Sequence, residues 1–134
     1  MTKKKNDSEL IETTIGFDTA KLANERGFIC KSSMCDEIYL EDGTKHWNLG
    51  TPLKDWDAPA PITYQAPTQA LLQRWLREEH NIHLNPDVAN LYPKTTYHSS
   101  IYYEGYRTWV EKEYNSYEGA FENGLQAALK FMKT

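Results

Sequence analysis

The chain has 134 residues, 40% of them apolar and 25% charged, with a net charge of −4. That length suits one domain with a core of its own, and the balance of apolar and charged residues excludes wholesale disorder. Charge also argues against a general nucleic-acid binder. Eight Lys and Arg stand against eleven Asp and Glu before Pro67, and seven against eight from there on, so neither half carries the basic excess that phosphate binding needs.

No apolar run approaches the roughly 18–20 residues of a membrane span. The opening Met1-Thr-Lys-Lys-Lys5 is basic but has no apolar segment behind it, which is not a secretory pattern. A cytoplasmic location is therefore expected, with Cys30 and Cys35 as reduced thiols. Residues 1–14 are polar and read as a mobile tail. Residues 15–134 read as a single α+β domain, in which an N-terminal helix and hairpin (17–61) pack on a unit formed by residues 62–134.

From Phe17 onward, Asp18 is the expected N-cap of a helix over 19–26, with Phe17 and Leu22 as a hydrophobic staple. Gly27 supplies a left-handed C′ residue, and Phe28 is its apolar partner. Asp42-Gly43 between extended runs predicts a type I′ hairpin over 37–49, with Ile38 and Leu40 on the buried face. Pro52, Pro59 and Pro61 make residues 50–61 an irregular connection pinned by Trp56, and 62–65 reads as a brief strand.

The strongest helical signal follows. Leu71, Leu72, Trp75 and Leu76 form one apolar face, Pro67 suits the first turn, and Asn81 suits a left-handed cap with Ile82 folding back on Leu76. A strand over 82–85 is expected to stop at Pro86. Two further strands, 95–103 and 106–114, pair around Glu104-Gly105, so that Tyr103 faces Tyr106, Ile101 faces Thr108 and Ser99 faces Val110. One sheet face then carries Tyr97, Ile101, Tyr103, Tyr106, Val110 and Tyr114. The other carries His98, Tyr102, Arg107, Trp109, Glu111 and Glu113. Ser116 caps a last helix whose apolar face is Tyr117, Phe121, Leu125, Ala128 and Met132, with Gly124 marking a close approach. The result is an α-β-β-β-α unit, two helices on one face of an antiparallel sheet.

The run Ala-Pro-Thr-Gln-Ala-Leu-Leu-Gln-Arg-Trp-Leu-Arg-Glu-Glu-His-Asn-Ile-His at 66–83 resembles one found in small uncharacterised proteins of phage- and prophage-related regions in gut-type bacteria. The segment 17–28, the Tyr-rich hairpin and the tail 116–129 are similar to theirs as well. Gly119 departs from the pattern, which has a second acidic residue there. The resemblance implies a phage- or prophage-type accessory protein and carries no established activity. The α-β-β-β-α order is also that of double-stranded RNA-binding domains. Those domains place basic residues at the start of the last helix, where this chain has Glu118 and Glu122.

No Gly-rich phosphate loop, nucleophile elbow or reactive-Cys signature is present in the sequence, and no cofactor is implied. Cys30 and Cys35, with Asp36 and His46, fall short of a structural zinc pattern. His80 and His83 straddle a helix end, and Asp36, Glu37, Glu41 and Asp42 lack calcium-loop spacing. The distinctive feature is the outer sheet face with His98, Tyr102, Arg107 and Trp109, the composition of a contact surface. The hairpin at 37–49, with Trp47, is the competing occupant of that face. Binding to a protein partner, or to a second copy, is expected ahead of nucleic acid. The alternatives are a nucleic-acid module using Lys21, Arg26, Arg74, Arg77 and Arg107, and a small enzyme with a dispersed site.

Overall fold

The computed structural model describes residues 13–29, 37–47 and 62–132. Cys30, Cys35, Asp36 and the connection containing Trp56 lie outside the described residues. In chain order the elements are α1 (Phe17–Glu25), β1 (Glu37–Leu40), β2 (Lys45–Trp47), β3 (Thr63–Gln65), α2 (Gln69–His80), β4 (His83–Asn90), β5 (Thr96–Tyr103), β6 (Tyr106–Tyr114) and α3 (Tyr117–Phe131). Among the described residues they form an α+β domain with two antiparallel sheets, ordered β2-β1-β3 and β4-β5-β6.

Helix α1 begins two residues earlier than its sequence suggests. Gly16 is the N-cap and offers no side chain, while Asp18 sits in the first turn, where its charge suits the helix dipole. One of the unpaired N–H groups at this helix start finds its acceptor in α3: the Glu122 carboxylate accepts the Gly16 N–H at 2.7 Å. Phe17 is thus released from a staple with Leu22 and packs edge-on against Tyr39 and Tyr64. The C-terminus follows expectation. Gly27 has φ +97°, its N–H donates to the Asn24 carbonyl, and the Phe28 N–H donates to that of Ala23, which is a Schellman cap.

The hairpin turn before β2 differs from the type I′ expectation. Only Gly43 has positive φ, the Gly43 N–H donates to Leu40 and the Leu40 N–H donates to Thr44, so the loop is a type I turn closed by a left-handed glycine. The buried side of β1 is also the reverse of the expected one. Tyr39 faces inward, with its hydroxyl donating to the Ile15 carbonyl at 2.9 Å, while Ile38 and Leu40 are half-buried. The Phe17 ring covers Tyr39 and so decides the face.

Thr68, rather than Pro67, opens α2. The Thr68 hydroxyl accepts from the Leu71 N–H, and Pro67 lies just outside the helix, fully buried. Thr13 and Thr14, expected in the tail, pair with this corner: Thr14 bridges Thr68, and the Gln69 N–H donates to Thr13 at 2.8 Å. Leu72 and Leu76 are fully buried, and Trp75 packs edge-on against Phe28 and His80. Asn81 takes the left-handed cap at φ 55°, and the Ile82 N–H donates back to the Leu76 carbonyl.

Strand β4 passes through Pro86 instead of stopping there. It is an edge strand, so the missing N–H falls where no neighbour needs it. β5 and β6 pair in the expected register at Tyr103–Tyr106, Ile101–Thr108 and Ser99–Val110, around a turn with Glu104 and Gly105 both at positive φ. Beyond Val110 the register shifts, and Tyr97 meets Tyr114. On the helix side Ile101 is buried and Tyr97, Tyr103, Val110 and Tyr114 are half-buried, but Tyr106, expected inside, is 79% exposed. It stands at the open edge and hairpin tip, where no described element crosses.

Helix α3 lies across the β4–β6 sheet, with α2 beside it over β4 and α1 packed on α3 in turn. Phe121, Leu125, Ala128 and Met132 are buried as expected, joined by Ala120 and Leu129, while Tyr117 is more open. Ser116 caps the helix through the Gly119 N–H. Gly124 is a point of close approach between helix and sheet. A Cβ there would lie 2.6 Å from Ser99 Oγ and 2.7 Å from Leu84 Cδ1. Gly124→Ala is expected to cost about 1–3 kcal/mol through overpacking, read as a lowered urea midpoint with an unchanged m-value.

Burial pushes the Tyr39 phenol above its ordinary value, with Lys45 opposing and Glu122 and Glu37 adding to the shift. Above about pH 10 the unfolded phenol ionises while the folded one stays neutral, so stability falls as pH rises until the folded phenol ionises too. Tyr39→Phe is expected to lose about 1 kcal/mol at neutral pH with its hydrogen bond. Its denaturation midpoint should also decline less than the wild type's between neutral and strongly alkaline pH.

Candidate functional site

Alternation along β4, β5 and β6 sends one set of side chains toward α2 and α3 and the other set away from them. The register places that second set in rows: His83, Tyr102 and Arg107; then Asn85, Ser100 and Trp109; then Asp87 and His98. The four residues singled out in the sequence are brought together in this face. The Arg107 guanidinium lies over the Trp109 ring at 4.1 Å and over the Tyr102 ring at 5.3 Å. His98 lies 4.5 Å from Trp109, at 34° between the ring planes.

Trp109 thus sits between a cation one row along the strand and an imidazole one row the other way. Tyr102 and Trp109 remain 40% and 41% exposed. The described backbone of β1 and β2 lies elsewhere, joined to β3 and resting on Phe17 at the α1 side of the molecule.

The other residues weighed in the sequence are engaged separately. His80 packs on Trp75, and His83 is 2.9 Å from Asn81 Oδ1. Glu37 pairs with Lys45 at 2.7 Å. The Asp42 carboxylate accepts the Thr44 N–H, and hydrogen bonding from the Thr44 side chain first and this N–H second holds its carboxyl below the ordinary carboxylate range. Arg26 donates to the Leu129 carbonyl, and Arg74 and Arg77 share Glu78. No group of three His, Cys, Asp or Glu among the described residues is placed to hold a metal ion.

One polar cluster gave no sequence signal. The Glu122 carboxylate accepts from the Gly16 N–H, the Thr19 hydroxyl and Gln69 Nε2, which also donates to the Glu118 carbonyl. Gln126 Nε2 donates to the Thr19 hydroxyl. Thr19 and Gln69 are buried. A position at which a double-stranded RNA-binding domain would turn basic groups outward therefore holds a carboxylate turned inward as a structural acceptor. The partners of Glu122 lie 53 to 106 residues away in sequence, which is why no local pattern announces them.

No family model, curated protein or solved structure matches the chain. Glu122→Ala is expected to leave three donors short of an acceptor and to destabilise the fold by about 2–4 kcal/mol, measured by chemical denaturation. Glu122→Gln, which keeps an acceptor oxygen, should cost less.

Proposed function

We propose that the chain acts by binding a protein partner through the outer face of the β4–β6 sheet, as an accessory protein of the phage or prophage type that residues 66–83 resemble. The observation that carries this reading is the stacked and exposed cluster of His98, Tyr102, Arg107 and Trp109. Aromatic and Arg side chains that stay partly open, away from the helices, match the make-up of interface hot spots. The partner surface that fits them offers a carboxylate or backbone carbonyl to the guanidinium and apolar area to the rings.

The same geometry disfavours single-stranded nucleic acid. Base stacking needs an open ring face beside a cationic groove, whereas Trp109 is flanked by Arg107 and His98, and Arg107 is the only Lys or Arg in the described rows of this face.

The test compares wild type with Arg107→Ala/Trp109→Ala as bait in host-cell extract, then measures any retained protein directly by calorimetry. A protein that binds wild type and loses at least about tenfold in affinity for the double variant is the expected result. Labelled single-stranded and duplex RNA of mixed sequence serve as parallel probes. Salt-sensitive RNA binding that falls in the double variant, with no protein retained, would overturn the reading.

A further inference from the structure

The apolar core is unevenly shared along the chain. Among the described residues, Ile15 is the one fully buried Leu or Ile side chain before α2; the others, from Leu72 to Leu129, lie in α2, the β4–β6 sheet and α3 or between them. On α1 the buried side chains are the small Thr19, Ala20 and Ala23. What α1 offers to α3 is therefore largely polar. Glu122 accepts from Gly16 and Thr19, Gln126 Nε2 donates to the Thr19 hydroxyl, and Arg26 Nε donates to the Leu129 carbonyl at 3.0 Å. Phe28 adds its edge-on contact with Trp75 of α2.

The small sheet, in turn, is tied to α1. Phe17 packs on Tyr39 and Tyr64, the Tyr39 hydroxyl donates to the Ile15 carbonyl, and the Asn24 side-chain amide bonds both backbone groups of Gln65 in β3. Hydrophobic stabilisation grows with the apolar area buried, whereas a hydrogen bond exchanged with water nets little. A part held by polar contacts and small side chains opens at lower free energy than one built on buried Leu and Ile.

We propose that α1 and the β2-β1-β3 sheet open from α3 as one unit, with Glu122 as the latch, while α2, the β4–β6 sheet and α3 stay folded. Opening uncovers the stripe of α3 that carries Glu122, Gln126 and Leu129, which share one helix face at i, i+4 and i+7. The outer face of the β4–β6 sheet is unchanged in the opened form, so the inference stands apart from the face-binding reading.

Native-state amide exchange of the full chain across a denaturant series tests it. The amides of Ala20, Phe28 and Leu40 are expected to share one opening constant, at least about tenfold larger than that of Ile101 and Ala128. Glu122→Ala removes contacts that both openings break, so it should speed exchange in both sets by a common factor, and Glu122→Gln by a smaller one. Gly124→Ala crowds Ser99 and Leu84, whose packing on α3 survives the first opening. It should speed exchange at Ile101 and Ala128 about tenfold and leave the first set as in wild type. One opening constant for every amide, or Gly124→Ala acting alike on both sets, would overturn the inference. Different constants for Ala20 and Leu40 would refute opening as one unit, and unchanged exchange at Ala20 in Glu122→Ala would refute the latch.

Discussion

A single carboxylate joins the two parts of this chain. Glu122 projects from the first turns of α3 and accepts from Gly16 and Thr19 at the start of α1 and from Gln69 at the start of α2. A helix N-terminus presents unpaired N–H groups and partial positive charge, so an anion there satisfies both at once. The same glutamate therefore caps a helix that has no cap of its own and fixes how α1 and α2 meet α3. The small sheet follows, because it rests on Phe17 at the first position of α1. Loss of this acceptor would loosen a whole layer rather than one side chain.

On its other side α3 presses on the large sheet at Gly124, so close to Ser99 and Leu84 that no further atom fits. Ser99 uses the proximity: its hydroxyl donates to the Ala120 carbonyl at 2.7 Å. Helix and sheet are thus locked by a missing side chain in one and a short polar side chain in the other. The inner face of the sheet is taken up by this seating, and among the described residues no helix covers the outer face.

The elements whose signals are local were legible in the sequence. The periodicity of Leu72 and Leu76, the caps at Ser116, Asn81 and Gly27, and the Glu104-Gly105 turn that fixes the register at its end of β5–β6 all appear where residue chemistry places them. Misreadings arose where a distant group replaced a local one. Asp18 looked like a cap because nothing nearby reveals Glu122. Ile38 and Leu40 looked inward-facing because nothing in the strand reveals Phe17. Pro86 looked like a terminator because sequence does not show that β4 is an edge. The outer-face cluster was legible for the same reason as the register: Arg107 and Trp109 lie two apart on one strand, and Tyr102 stands opposite Arg107 once the turn is known. His98 sits next to the irregular stretch, yet its ring still reaches Trp109.

Arg107 is the residue through which this face would meet anything charged, and it is already held. Its guanidinium carbon lies 4.1 Å from the Trp109 ring centre and 5.3 Å from that of Tyr102, although the residue as a whole is exposed. Immobilising a long side chain on association costs about 0.5–1.5 kcal/mol of rotamer entropy. Here the two ring contacts would supply part of that ordering before any association.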